Sequence, residues 1–337
     1  MVNDLTVQIS KGFGSFTLDI DFSTKARRIG ILGHSGSGKT LTLKCIAGLV
    51  TPDRGCIVHG GRVLFDSAHR ICLRPQQRRI GYMFQNYALF PNMTVRQNIA
   101  AAFPWKNRDG AGEILTRFGL QEIADKYPAQ LSGGQQQRTA MARLLAYAPD
   151  MILLDEPFSA LDDTVREQMQ RELESLLADY TGTLMLVSHN RDEICRFCEA
   201  LVVIDEGRSI VCGETQAVFD NPGTVTAARL TGCRNISAFH VTGARTGIAA
   251  DWGLELHFPA PVPDGVSHVG IYERDILPVQ DAGENCIRFD VQRRISLPSG
   301  VRYDLRTEAG GVLICQTMHA EGIPDYAKLS KLLLLKG

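Results

Sequence analysis

Apolar and polar residues alternate over residues 5–9 (LTVQI) and 16–22 (FTLDIDF). That two-residue period sends successive side chains to opposite faces, so it predicts two strands. Residues 28–32 (RIGIL) form a third short apolar run, which ends in a glycine-rich loop, and residues 41–48 (LTLKCIAG) then read as a helix. Residues 56–65 predict a strand pair around Gly60-Gly61, and residues 80–84 a further strand. From about residue 94 to 148 the pattern turns helical. The unbroken apolar runs 151–154 (MILL) and 184–187 (LMLV) predict buried strands; 201–204 and 209–211 follow, with Glu206-Gly207 as the turn between them. Strands alternating with helices predict a wound α/β domain.

After about residue 231 the texture changes. Short alternating strands at 254–258, 269–272, 287–291 and 312–316 are separated by proline and glycine turns (PAPVPDG, LPSG, EAGG). This predicts a small all-β barrel or sandwich. The expected division is an α/β domain over 1–230, with a helical subdomain at about 88–148, and a β-rich domain over 231–337.

The length of 337 residues agrees with two domains. Thirty-six Lys and Arg against 37 Asp and Glu leave a net charge of −1, so no nucleic-acid partner is expected. The basic cluster at 74–79 (RPQQRR) reads as a solvated surface loop. Nine cysteines are scattered along the chain, and residues 1–10 lack the basic start and apolar stretch of a secretory signal. A reduced, cytosolic setting is therefore expected. Cys195 and Cys198 form C-x-x-C inside the helix expected after Asn190, with no second pair, and read as helix packing. No apolar run approaches the ~20 residues that span a bilayer. A membrane role would need a partner to supply the spanning part.

Residues 33–40 read GHSGSGKT, a full match to G-x-x-x-x-G-K-[ST]. Its glycines let the backbone curl until its N–H groups point at phosphates, and the following helix presents its positive end. Gly33, His34, Ser35, Gly36, Ser37, Gly38, Lys39, Thr40 and Leu41 are thus expected to hold ATP. Lys39 reaches the β- and γ-phosphates and the Thr40 hydroxyl ligates Mg2+. Residues 151–156 (MILLDE) place an acid after an apolar strand. Asp155 is expected to orient the metal and Glu156 to act as general base on the attacking water.

Residues 131–135 read LSGGQ, placed before QQQRTAMARLL and MILLDEP. With this element the chain resembles the ATP-binding cassette ATPases, over about residues 1–230. The resemblance implies a P-loop cassette, a RecA-like core plus helical subdomain, working as a homodimer that sandwiches two ATP molecules. It implies that Ser132, Gly133, Gly134 and Gln135 reach the partner copy's nucleotide. Gln85, in YMFQN, matches the glutamine that touches Mg2+ and the attacking water. Residues 159–162 (SALD), ending in Asp162, match the segment that communicates across the dimer, and His189, in VSHN, matches the histidine at the γ-phosphate. An aromatic ring stacks on adenine in such proteins. Phe13 and Phe16 (GFGSF) are the candidates, a buried strand position being the alternative role for Phe16, and Phe13 is the choice.

Residues 87–99 (YALFPNMTVRQNI) are similar to the importer segment that docks a permease helix. The region Gln85 to Pro91 is therefore expected to meet transmembrane permease subunits, with internal packing as the alternative. An extracytoplasmic solute-binding protein would act indirectly, and the chain would sit peripherally on the cytoplasmic side of the membrane. Residues 71–85 (ICLRPQQRRIGYMFQ) resemble molybdate importers; sulfate, phosphonate, spermidine and sugar importers share much of this, and sulfate, tungstate, a polyamine or a sugar is the alternative cargo. TGCRNI and GIYERDI resemble a TOBE- or MOP-like extension, read as a dimer spacer before an oxyanion site. Lys331 and Lys336 read as solvated charges.

Overall fold

The computed structural model describes residues 4–84, 86–103, 110–159, 163–318 and 326–337. The chain divides into two compact units, Met1–Gln216 and Ala217–Gly337.

The first unit is built on one 11-stranded sheet. Its strands are β1 (Leu5–Phe13), β2 (Phe16–Thr24), β3 (Arg28–Leu32), β4 (Arg54–His59), β5 (Arg62–Asp66), β6 (Ile71–Cys72), β7 (Ile80–Met83), β8 (Met151–Asp155), β9 (Thr183–Val187), β10 (Ala200–Asp205) and β11 (Arg208–Glu214). Their spatial order is β6-β5-β4-β1-β2-β11-β10-β3-β9-β8-β7. The stretch from β10 to β7 is parallel, and every residue of β8 and β9 is buried. Burial on both faces explains why these two read as unbroken apolar runs rather than as alternations. The alternating β1 and β2 instead pair antiparallel in a hairpin, with alternate residues of each strand inward.

The helices are α1 (Lys39–Ala47), α2 (Pro75–Arg78), α3 (Val95–Ala100), α4 (Ala111–Arg117), α5 (Gly133–Ala146), α6 (Asp163–Leu177) and α7 (Arg191–Phe197). α1 starts at Gly38 and stops at Gly48, both in the left-handed region. Its buried Leu43, Cys45 and Ile46 join the core formed by β1, β2, β3 and β8.

The basic cluster expected to be a solvated loop folds differently. Pro75 opens α2, and Arg78 is 1% exposed. Its Nη1 donates to Cys45 O (2.8 Å) and Ile46 O (2.7 Å), and its Nε to Leu73 O (2.9 Å). The guanidinium caps carbonyls in the last turn of α1, where a helix runs out of its own donors. Of the C-x-x-C pair, Cys198 is buried just beyond α7 while Cys195 is exposed.

In the second unit, α8 (Thr215–Asp220) runs across the division and α9 (Val225–Thr231) follows. Ten strands form two antiparallel five-stranded sheets: β12 (Asn235–Gly243), β13 (Thr246–Ala249), β14 (Leu254–His257), β15 (His268–Ile271) and β21 (Leu333–Leu335) in one, β16 (Ile276–Val279), β17 (Cys286–Leu297), β18 (Gly300–Thr307), β19 (Val312–Thr317) and β20 (Tyr326–Leu329) in the other. Both contribute to one core, including Phe239, Trp252, Ile271, Tyr303 and Leu329, so the sheets form a sandwich. The sequence placed the division at 230; the contacts place it between Gln216 and Ala217. Val225 N donates to Lys336 O and Lys336 N to Gly223 O, both at 3.0 Å, and Ala228 packs with Cys233, Tyr272 and Leu333. These ties group the residues ahead of 230 with the sandwich. Lys331, expected to be solvated, pairs with Asp220 at 2.8 Å.

Candidate functional site

Strand register assembles the site. Ile31 of β3 pairs with Val187 of β9, and Val187 with Asp155 of β8. These three residues form one row at the carboxyl ends of parallel strands, where open α/β sheets bind ligands. The next residues along each strand are therefore neighbours: the glycine loop after β3, Glu156 after β8, and Ser188 and His189 after β9.

The loop is shaped by close approach. A Cβ on Gly33 would lie 2.2 Å from Ile204 O and 2.6 Å from Ser37 Oγ. Lys39 is 6% exposed, and its ammonium donates to Gly33 O (2.9 Å) and His34 O (2.7 Å). Burial lowers the Lys39 pKa, opposed by the charges of Glu156 and Asp155. Ser37 Oγ is buried without a hydrogen-bond partner. A buried cation, an unmated hydroxyl and a helix N-terminus make a donor set that fits a phosphate.

Thr40 Oγ1 donates to Asp155 Oδ1 and Tyr82 OH to Asp155 Oδ2, each at 2.9 Å. Glu156 follows in the left-handed region at φ 48°, its N–H donating to Val187 O at 3.0 Å. Its Oε2 lies 3.7 Å from His189 Nδ1. Lys39, Thr40, Asp155, Glu156 and His189 thus form one constellation. Gln85 and Asp162 lie outside the described residues.

Ser132 is the N-cap of α5: its Oγ accepts from Gln135 N (3.3 Å), and Gln135 Oε1 accepts from Ser132 N (3.0 Å). The LSGGQ segment is therefore a capping box. Ser132 and Gly133 are exposed, and a Cβ on Gly133 would meet nothing within 4 Å. The helix end stands open to a ligand or partner. Phe13, at the end of β1, is 42% exposed with Lys11 Nζ 5.7 Å from its ring centroid. Phe16 is half-buried; it lines a 500 Å³ cavity together with His34, Ser35, Gly36 and Ser37.

Beyond β7, Tyr87 and Ala88 are both left-handed, and Phe90 is 47% exposed. Arg143 of α5 lies 5.1 Å from the Phe90 ring centroid and donates to Tyr87 O at 3.1 Å. Asn98, fully buried, accepts from Phe90 N and donates to Phe90 O, Met93 O and Thr94 O. The exposed segment is thus tied from below by Asn98 and Arg143, beside a 240 Å³ groove lined by Tyr82, Met83, Tyr87, Phe90 and Tyr147.

Sequence reasoning did not single out Tyr82, Asn98 or Arg143. Tyr82 stands in the quoted YMFQN, but its tie to Asp155 depends on the pairing of β7 with β8.

The family described as ABC transporter matches residues 18–159. A sulfate/thiosulfate import ATP-binding protein of Thermosynechococcus vestitus is 34% identical over 316 residues, 91% of this chain and 88% of that protein. The chain belongs to the ABC transporter ATP-binding proteins, a family of ATPases. A molybdenum import ATP-binding protein of Photobacterium profundum is 36% identical over 64% of the cassette chain and 60% of its own length. A spermidine/putrescine import ATP-binding protein of Oleidesulfovibrio alaskensis is 38% identical over 70% of this chain and 63% of its own length. The chain thus spans under two thirds of these last two relatives. Among solved structures, the ATP-binding cassette MJ0796, in a dimeric post-hydrolysis state bound to ADP and Pi, superposes with a TM-score of 0.52 at 28% identity. That match covers 63% of this chain and 98% of MJ0796. Among the described residues no helix is long and apolar enough to cross a membrane.

Proposed function

We propose that this cassette hydrolyses MgATP as the motor subunit of an importer, and that the imported solute is an oxyanion, molybdate first. The observation that carries the ATPase reading is the row of Thr40, Asp155, Glu156 and His189 beside the buried Lys39. Residues 33–41 would hold the triphosphate, with Lys39 turning from the loop carbonyls to the β- and γ-phosphates. Thr40, Asp155 and Gln85 would hold Mg2+. A single carboxylate suits that ion, which keeps water and substrate phosphates as its other ligands. When bound, Mg2+ would neutralise charge on the transferring phosphoryl group, alongside the Lys39 ammonium.

Glu156 accepts the proton of the attacking water and His189 donates to the γ-phosphate. The roles divide by chemistry: a carboxylate only accepts, whereas an imidazole N–H donates. Phe13, free at its hairpin, would stack on adenine. Ser132 to Gln135 and Asp162 would act on the nucleotide of a second copy. The open end of α5 supports this: its N–H groups suit an anion that this chain's own loop does not bring.

The braced, exposed segment at Phe90 and its groove support docking of a permease helix, which would set the cassette on the cytoplasmic face of the membrane. A solute-binding protein would then act through the permease. The β-sandwich unit would serve as a TOBE-like dimer spacer. Molybdate is favoured by the segment ICLRPQQRRIGYMFQ; similarity to sulfate and polyamine importers makes those the alternative cargoes.

Glu156→Gln tests the core of the proposal. It should retain ATP binding and ATP-dependent dimerisation while hydrolysis falls by about 10²–10⁴-fold. Near wild-type turnover would remove Glu156 from its role. The cargo is tested by ATPase stimulation of the reconstituted complex with solute-binding proteins loaded with molybdate, sulfate, spermidine or a sugar. Stimulation by the sugar alone would sink the oxyanion reading.

A further inference from the structure

We propose that Glu193 is a positioning residue for His189, holding the backbone on both sides of that histidine and tying it to α6. The proposal rests on the reading of His189 as a contact to the γ-phosphate.

Glu193 is the third residue of α7 and is 4% exposed, whereas its neighbour Asp192 is exposed. An acidic residue in the first turn of a helix needs no burial to favour the helix dipole, and Asp192 already supplies one. A second carboxylate taken out of water must be held by specific donors. Two are present. Ser188 Oγ donates to Glu193 Oε2 at 2.5 Å, and Gln170 Nε2 of α6 donates to Glu193 Oε1 at 3.2 Å.

Ser188 Oγ also accepts from Asn190 N at 2.9 Å, while Ser188 N donates to Ile31 O at 3.3 Å. Ser188 and Asn190 are the residues on either side of His189, so one buried carboxylate fixes both. The His189 side chain is 66% exposed, so its aim is set by the backbone beneath it. The network continues across the helix seam. Gln170 Oε1 accepts from Arg196 Nη1 at 3.2 Å, and Arg196 Nη2 pairs with Glu174 at 2.7 Å. α6 begins at Asp163, directly after the segment expected to communicate across the dimer. The strap therefore joins the histidine to the helix that leaves that segment. Burial raises the Glu193 pKa; the Ser188 and Gln170 hydrogen bonds and the charges of Arg166 and His189 oppose it.

The test uses the full chain and steady-state ATP hydrolysis, with single-turnover measurement for slow variants. Glu193→Ala should lower kcat roughly 10- to 100-fold, the scale of loss for an angstrom-sized misplacement, with the KM for ATP little changed. Glu193→Gln keeps an acceptor for Ser188 and should restore most of kcat. In a His189→Ala background, adding Glu193→Ala should cause no further loss. A wild-type kcat for Glu193→Ala beside a crippled His189→Ala would overturn the proposal alone, as would a further drop in the double variant. A fully active His189→Ala would instead remove the histidine reading and the proposal with it. Should Glu193→Ala fail to fold, Ser188→Ala carries the same test, with the same loss expected and the same absence of loss in the His189→Ala background.

Discussion

Replacing Arg78 with methionine keeps most of the side-chain volume and removes the charge. Three carbonyls lose the donor that Arg78 gives them: Leu73, Cys45 and Ile46. Cys45 O keeps the Gly48 N–H at 3.1 Å, so Leu73 O and Ile46 O bear the loss. An uncompensated buried polar group costs about 1–3 kcal/mol, for a gross loss of about 2–6 kcal/mol. Removing the guanidinium also removes its own desolvation penalty, which offsets part of this. A net destabilisation of about 2–4 kcal/mol is expected. With a urea dependence of about 3 kcal/mol per molar, the midpoint should fall by about 1 M. Circular dichroism at the helix band is the readout, because α1 to α7 all lie in the first unit. Arg78→Lys should recover little, since an ammonium lacks the planar fork that reaches several carbonyls at once. An Arg78→Met protein as stable as wild type, or more so, would refute the reasoning: desolvation of the charge would then outweigh capping of α1.

Two further outcomes follow from the geometry. Gly33→Ala should abolish ATP binding and lower thermal stability, because the new methyl would lie 2.2 Å from Ile204 O, a backbone atom with no rotamer to escape into; a nucleotide-binding assay with a melting curve checks both, and wild-type binding would contradict the close approach. His59 hydrogen-bonds Thr183 at 2.9 Å, and burial lowers its pKa from 6.5, against the charge of Asp150. The unfolded chain then takes up the proton first, so the contribution of neutral His59 is present above pH 6.5 and is lost as pH falls through its folded value. His59→Gln should flatten the wild-type decline in stability between neutral pH and about pH 5, and an unchanged slope would remove His59 as its cause.

Much of the first unit was legible from sequence because its signals are local. A glycine loop between an apolar strand and a helix, or two carboxylates closing the strand MILL, carry their geometry in a few consecutive residues. What was not legible depends on distant partners. Arg78 looks like any surface arginine until the end of α1, 32 and 33 residues earlier, is brought beneath it. Glu193 and Asp192 are equivalent first-turn acids in sequence, and only the packing of α7 on α6 buries one of them. The two sheets of the sandwich could be seen as strands but not as two sheets, because register between short alternating strands is set by the shared core. Likewise the grouping of α9 with the sandwich follows from its bonds to residues near the C-terminus, over 100 positions away.

Glu156 occupies the left-handed region at φ 48°. For an L-residue with a Cβ that geometry costs about 1–2 kcal/mol, which glycine would escape. With Glu156 in the proposed role of general base, heat resistance and turnover pull in opposite directions at a single codon. A laboratory lineage selected only for surviving high temperature would be drawn toward glycine or asparagine there and would emerge sturdier but inert. Any scheme for hardening this ATPase must keep turnover under selection at every round.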